Sequence, residues 1–328
     1  MLLFPVTAVK FLGVVMKICI LGPGSLGSVF GGIMTEAGLD VHLVGPRTDH
    51  LDVMRHRGLT LVEGGSERTV KVKVSTGCEE VGAVDLVIVL VKSSFTGQAI
   101  QSAEPLIGEE TLAISLQNGL GNEEVLAAHL GRDRVLSGKT YVGGVITEPG
   151  SVHVSRKGKI TQLGELEGGI TDRARRIGDL FASSGFETEV CAEMLPVIWH
   201  KLLINISTGA ITAITGLTYG EILQVPEAVQ CGIEAAAEAM AVARAAGVKL
   251  RIRHPEEAFK AALTGLPMDF KTSMLQDVTR GVKTEIDFIN GAVVRLGRQH
   301  GVPTPVNDTL VAAIKGIEFT PGGRPTGM

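Results

Sequence analysis

The segment Lys17-Ile18-Cys19-Ile20-Leu21-Gly22-Pro23-Gly24-Ser25-Leu26-Gly27 constrains this chain most, because a short apolar run drops straight into a glycine-rich turn. Gly22 lets the backbone turn sharply off a buried strand, and Gly24, having no Cβ, allows a ligand to approach the backbone closely. Gly27 lets the following helix pack tightly on the sheet. The N-terminus of that helix offers free N–H groups and the positive end of its dipole, which together suit a pyrophosphate. Glycine-rich turns are common, so the context matters: residues 18–21 read as a strand, and residues 29–37 as a helix ended by Gly38. The expectation is a dinucleotide clamp formed by Gly22, Pro23, Gly24, Ser25, Leu26 and Gly27, against the plainer alternative of an ordinary strand-to-helix turn.

A second strand over residues 40–44 ends in Val44-Gly45-Pro46-Arg47, where an enzyme using NAD would place an Asp or Glu to hold the ribose 2′-hydroxyl. With no carboxylate at that tip and a guanidinium just past it, the site suits the 2′-phosphate of NADP, which Arg47 can bind by charge-assisted hydrogen bonds. Asp49 stands close by, and a solvated loop arginine is the alternative.

At 328 residues the chain has room for two domains with their own cores, and its 45% hydrophobic and 20% charged residues are those of an ordinary globular protein. A formal net charge of −4 provides no basic footprint for nucleic acid. Cys19, Cys78, Cys191 and Cys231 are scattered without metal-ligand spacing, which fits buried thiols in a reducing cytoplasm and calls for no metal. The first fifteen residues are apolar but lack a basic start, are interrupted by Lys10, and lead directly into the first strand, so they do not read as a signal peptide. Met16-Lys17 has the look of a start, which makes residues 1–16 an extension. No stretch reads as the roughly 18 apolar residues of a membrane span.

From 17 to about 190 strands and helices alternate, as a doubly wound parallel sheet requires. Residues 84–91 (VDLVIVLV) form a near-continuous apolar strand of the kind buried on both faces, and 111–116 form another. These end in Lys92-Ser93-Ser94 and Gln117-Asn118-Gly119, at the strand ends where ligands bind in such sheets. Further strands are expected at 135–146, 152–154, 160–163 and 186–190, with a helix near 171–183. After Cys191 helical periodicity takes over, with helices expected at 193–214, 226–246, 255–264, 274–299 and 307–318. The domains are therefore 17–191 and 192–328, an α/β Rossmann half and an all-α half, expected to meet across a cleft.

In the helical half Lys201 and Asn205 lie four apart and share a helical face. The alternative for Lys201 is a lysine reaching from an apolar helix to solvent. Ser273 and Gln276 have capping-box spacing, which would make Ser273 a helix start, and Glu285 could belong to a solvated helix face.

GPGSLG, VKSS, QNGLGN, HKLLIN, SMLQD and TEIDFINGA, in this order and spacing, resemble the ketopantoate reductases, NADPH enzymes of pantothenate synthesis. The resemblance spans residues 17 to 318. It implies Lys201 as general acid and Glu285 as the carboxylate that holds the substrate hydroxyl. It also implies Asn205, Ser273 and Asn118 as substrate contacts, Lys92 and Asn118 at the nicotinamide end of the cofactor, and a site between the two domains in a homodimer. These residue types suit the chemistry: hydride addition to a 2-keto acid builds negative charge on oxygen, which an ammonium both stabilises and protonates.

The chain departs from the family pattern at Gly209, where many members carry an asparagine one turn beyond Asn205, and at Tyr219, where they have an asparagine before Gly-Glu. Gly209 is expected to leave space in the helix wall. Two alternatives to ketopantoate reduction follow: a paralogue acting on another branched keto or hydroxy acid, and a protein that binds NADP as a sensor without turnover.

Overall fold

The computed structural model describes residues 16–319, so the extension expected over 1–16 lies outside them but for Met16. The chain forms two compact units. One runs through Gln117 and resumes from Asn122 to Met194; the other takes Asn118–Gly121 and everything from Leu195 onward. The division thus falls three residues beyond the one expected from sequence, and a four-residue loop of the first half belongs to the second unit.

The first unit carries β1 (Lys17–Leu21), β2 (Asp40–Val44), β3 (Leu59–Glu63), β4 (Ser66–Val70), β5 (Lys73–Ser75) and β6 (Val84–Val89). It continues with β7 (Ile107–Ser115), β8 (Val135–Thr140), β9 (Gly143–Glu148), β10 (Ser151–Ser155), β11 (Thr161–Glu165) and β12 (Thr188–Val190). Its helices are α1 (Ser25–Glu36), α2 (Asp49–Arg57), α3 (Thr96–Ser102), α4 (Asn122–Leu130) and α5 (Asp172–Ser183). Eight strands form the main sheet in the order β12-β11-β8-β7-β6-β1-β2-β5, parallel throughout except where β11 runs against β8. The order from β5 to β8 is that of a dinucleotide-binding sheet, with the switch point beside β1.

Residues along β1 alternate between two cores. Ile18 and Ile20 join Phe30, Leu43 and Ile88 on one face, and Cys19 and Leu21 join Val87, Val89 and Ala113 on the other. Helical cover on both faces makes β1 and β6 continuous apolar runs rather than alternating ones. Phe30 of α1 stacks on Phe186 with ring centroids 4.3 Å apart.

The single strand expected over 135–146 is two strands in different sheets. β8 stops at Thr140, whose hydroxyl accepts from the Val142 N–H, and β9 then joins a second sheet in the order β4-β3-β10-β9. Gly144 makes this possible: a Cβ there would stand 2.7 Å from Val29 Cγ2 and 2.8 Å from the Ser25 carbonyl, so only glycine lets β9 lie this close to α1.

The second unit is helical: α6 (Met194–Thr215), α7 (Tyr219–Ile222), α8 (Pro226–Ala245), α9 (Pro255–Leu263), α10 (Ser273–Thr279), α11 (Asn290–His300) and α12 (Pro305–Phe319). By length and composition alone α6 is long and apolar enough to cross a membrane, with a mean hydropathy of 1.3 over its most apolar window, although His200, Lys201 and Asn205 interrupt its apolar residues. That window is 67% buried within the protein, where Leu202, Leu203 and Ile206 enter the helical core. A Cβ on Gly232 of α8 would lie 2.1 Å from the Ser207 carbonyl, so small residues bring α6 and α8 into backbone contact.

The helix expected over 274–299 is broken. α10 ends at Thr279, Gly281 takes a φ of +65°, and residues 285–289 form a turn before α11. The break is held from a distance, because the N–H and hydroxyl of Thr284 both donate to the Glu318 carboxylate on α12, at 2.8 and 2.7 Å.

Candidate active site

In the first unit the glycine turn is built as its sequence requires. Gly22 has a φ of +100° and donates its N–H to the Val44 carbonyl at 2.9 Å. A Cβ on Gly22 would stand 2.6 Å from the Val91 nitrogen, and one on Gly27 would stand 2.0 Å from the Gly22 oxygen. Gly24 differs: a Cβ there would meet nothing within 4 Å, so packing within the chain gives no reason for a glycine. Gly24 is also the N-cap of α1, no side chain caps that helix, and its first turn carries no acidic residue. An open approach to uncapped amides at a positive dipole end fits the pyrophosphate of a dinucleotide. Ser25 holds the turn from the other side, its Oγ accepting from the Ile146 N–H at 3.4 Å, and Leu26 packs on the sheet core.

Pro23 is wedged against the tip of β2, where a Cβ on Gly45 would lie 2.3 Å from its Cδ. Beyond this tip Arg47 is exposed and pairs with Asp52 at 3.0 Å, while Thr48 caps α2 and Asp49 opens it. The β2 tip itself, Val44-Gly45-Pro46, carries no carboxylate.

Lys92 follows β6 and precedes the helical turn Ser93–Phe95. A buried polar network ties this region to the end of β7. Gln117 Nε2 donates to the Val91 carbonyl at 2.7 Å and to Thr96 Oγ1 at 2.8 Å, and Asn122 Nδ2 donates to Ser93 Oγ at 3.2 Å. Beneath it, Lys139 Nζ donates to the Gln117 carbonyl at 3.0 Å and to Glu123 at 2.8 Å, and Ser137 Oγ also donates to Glu123. Lys139 and Glu123 are both almost fully buried. Neither was singled out from sequence; a lysine inside the otherwise buried strand VLSGKT is the signal that marks it.

In the second unit Lys201 and Asn205 lie one turn apart on α6, both half-buried, with Gly209 and then Thr212 continuing along the helix. Thr212 Oγ1 and Thr272 Oγ1 are 2.8 Å apart, which fixes the start of α10 against α6. Thr272, not Ser273, caps α10 by accepting from the Leu275 N–H. The capping-box reading of Ser273 is therefore wrong: Gln276 turns to the Lys271 carbonyl, and Ser273 is exposed as the first helical residue. A Cβ on Gly209 would have Met274 Cε 3.9 Å away, so the expected space in the helix wall is bounded by a flexible thioether. Tyr219 is a core residue whose hydroxyl lies 3.3 Å from Thr208 Oγ1, and burial pushes its phenol up.

Glu285 is not on a solvated helix face. It sits in the turn before α11, 8% exposed, and accepts from Asn118 Nδ2 at 3.3 Å. The loop Asn118–Gly121 is docked on that turn: Leu120 donates its N–H to the Phe288 carbonyl at 2.8 Å, and Gly119, with φ +84°, lies so close that a Cβ would stand 2.4 Å from the same oxygen. The structure thus brings Asn118 to Glu285, sets Lys201 one helical turn before Asn205, and brings Met274 and Thr272, the neighbours of Ser273, to Gly209 and Thr212. Arg47, the glycine turn, Lys92 and Gln117 occupy the carboxyl ends of the adjacent strands β2, β1, β6 and β7.

Comparison with known proteins places these motifs in one family. Residues 18–168 match the family model described as ketopantoate reductase PanE/ApbA, and residues 193–318 match its C-terminal counterpart. A 2-dehydropantoate 2-reductase of Halobacterium salinarum is 34% identical over 304 residues, 92% of this chain and 98% of the relative. The crystal structure of a PanE/ApbA family ketopantoate reductase from Ralstonia eutropha JMP134 superposes with a TM-score of 0.84 at 32% identity, covering 92% of this chain and 98% of that one. A D-mandelate dehydrogenase solved with NADH and anilino(oxo)acetate gives a TM-score of 0.85 at 26% identity, covering 92% and 98%.

Proposed function

Because this chain belongs to the ketopantoate reductase family, we propose that it reduces 2-dehydropantoate to pantoate with NADPH, in pantothenate synthesis. The observation that carries the substrate half of this reading is the buried Glu285 carboxylate oriented by Asn118, in the same helical unit as the Lys201–Asn205 face. A bound nicotinamide supplies the hydride. The open, uncapped turn from Gly22 to Gly27 holds the pyrophosphate, Arg47 takes the 2′-phosphate in exchange for Asp52, and Lys92 and Asn118 serve the nicotinamide end. Lys201 Nζ stabilises the charge that develops on the carbonyl oxygen and transfers its proton there. Glu285 accepts the substrate hydroxyl, while Asn205 and Ser273 donate to the carboxylate. The proposal extends to a homodimer in the cytoplasm, with light scattering as the check on assembly.

Following NADPH oxidation by the purified protein against a panel of 2-keto acids tests this reading. Ketopantoate is expected to give the highest kcat/KM. A second reading rests on Gly209 facing Met274: a wall with a movable thioether in place of an amide admits a bulkier 2-keto acid. Turnover of such an acid with poor use of ketopantoate would establish the paralogue.

The cofactor assignment carries its own expectation. Arg47→Ala should cut the preference for NADPH over NADH, as a ratio of kcat/KM values, by about ten-fold or more, the worth of a charge-assisted pair. A wild-type protein that prefers NADH would move the selecting contact elsewhere.

A further inference from the structure

Four groups from separate parts of the first unit form one hydrogen-bonded line that ends on the glycine turn. The Gly150 N–H, in the turn between β9 and β10, donates to His50 Nδ1 at 2.9 Å. His50 Nε2 lies 2.9 Å from Ser28 Oγ, and Ser28 Oγ donates to the Pro23 carbonyl at 3.3 Å. The proton order is dictated from one end. A backbone N–H can only donate, so Nδ1 must be bare; the imidazole is then neutral with its proton on Nε2, and that proton goes to Ser28. The Ser28 hydroxyl, fully buried on the second turn of α1, is left free to donate to Pro23.

Neither end can readily give way. Gly150 has a φ of +79°, its carbonyl accepts from the Thr60 N–H at 2.8 Å, and a Cβ there would press on Val53. Pro23 is wedged on Gly45 and sits between Gly22 and Gly24, the two glycines whose backbone the pyrophosphate would approach.

We propose that His50 is a positioning residue for the dinucleotide: as a neutral imidazole it fixes, through Ser28, the backbone of the glycine-rich turn, and it releases that turn when protonated. The inference rests on the nicotinamide-nucleotide reading of the turn. A proton arriving on Nδ1 would face the Gly150 N–H donor to donor, breaking the line at its fixed end. The titratable and charged groups along the elements packed around the ring are Glu36 on α1, Asp49, Asp52, Arg55, His56 and Arg57 on α2, Glu148 at the end of β9 and His153 on β10; the ring nitrogens bond instead to the Gly150 N–H and Ser28 Oγ. Burial holds the ring's titration below its ordinary 6.5. A depressed value in the folded protein means that the latch is intact above that ordinary value and is lost as pH falls through the lower one.

The test is calorimetric binding of NADP⁺ to the full chain near pH 8 and at a pH below the ring's own titration, which ring-nitrogen NMR of the wild type locates. At the higher pH His50→Ala is expected to weaken binding by about five- to ten-fold, the loss of one well-placed hydrogen bond. Ser28→Ala should weaken it equally, and the double variant no further. His50→Gln keeps a donor for Ser28 and does not titrate here, so it should restore most of the affinity. Wild-type affinity divided by that of His50→Gln should then fall on acidification, with the ligand's own phosphate titration cancelling in the ratio. Ring-nitrogen NMR of the wild type, which needs no variant to fold, should show the Nε2–H tautomer. His50→Ala binding like wild type, a ratio constant with pH, or the Nδ1–H tautomer would each overturn the proposal. A wild-type protein that binds no nicotinamide nucleotide at either pH would overturn the functional reading and this inference with it.

Discussion

Lys201→Ala is expected to lower kcat by about 10²- to 10⁴-fold while NADPH still binds, because the hydride step leaves an oxyanion with no positioned proton donor. The cofactor contacts proposed here belong mostly to the first unit, whereas Lys201 stands on α6 of the second, so the Kd for NADPH should change little. Glu285→Ala should instead lower kcat/KM partly through KM, since its carboxylate is assigned to orienting the hydroxyl end of the substrate. Asn118 would then lose the partner it holds at 3.3 Å, and Asn118→Ala should reproduce part of the defect. Steady-state kinetics with ketopantoate and fluorescence titration with NADPH separate the two effects. A Lys201→Ala enzyme with near-normal kcat would remove this residue from the chemistry.

Lys139→Met should cost the first unit about 3–5 kcal/mol, because it strands the Glu123 carboxylate in a dry interior. Lys139 is 1% exposed and Glu123 2%, so water does not replace the lost ammonium. For a unit of this size that corresponds to a fall in Tm of roughly 6–20 °C. The double variant Lys139→Met/Glu123→Leu should recover much of the loss, since removing both charges leaves none unpaired. Activity should not recover in parallel, because Lys139 Nζ also holds the Gln117 carbonyl, one residue before Asn118. Thermal unfolding followed by circular dichroism reads the first effect, and an unchanged Tm in the single variant would show that the pair is not a stability element.

The Rossmann half was legible where its signals are local. The apolar run before Gly22, the glycines themselves and the buried strand β6 depend on residues within a few positions of one another, and the structure has them as the sequence implied. The hairpin of β3 and β4 carried no such signal. Its strands are short and polar on one side, and β3 gains its place by pairing in parallel with β10, about ninety residues away. The strand expected over 135–146 failed for the same reason, since what divides it is the approach of β9 to α1.

What the sequence determined by itself was the kind of molecule and the cast of its candidate site: a glycine turn between a strand and a helix, an unacidic tip at β2, and Lys201 one helical turn from Asn205. Those depend on backbone sterics and on the 3.6-residue period, which act over a few residues. Only the tertiary structure decided what each group touches. Glu318 breaks the long helix by taking Thr284, Asn118 is drawn into the helical unit to meet Glu285, and Gly150 dictates the tautomer of His50 from 100 residues away. A buried polar group must find its partner wherever the fold supplies one, and that search is over distance in space, to which local sequence pattern is blind.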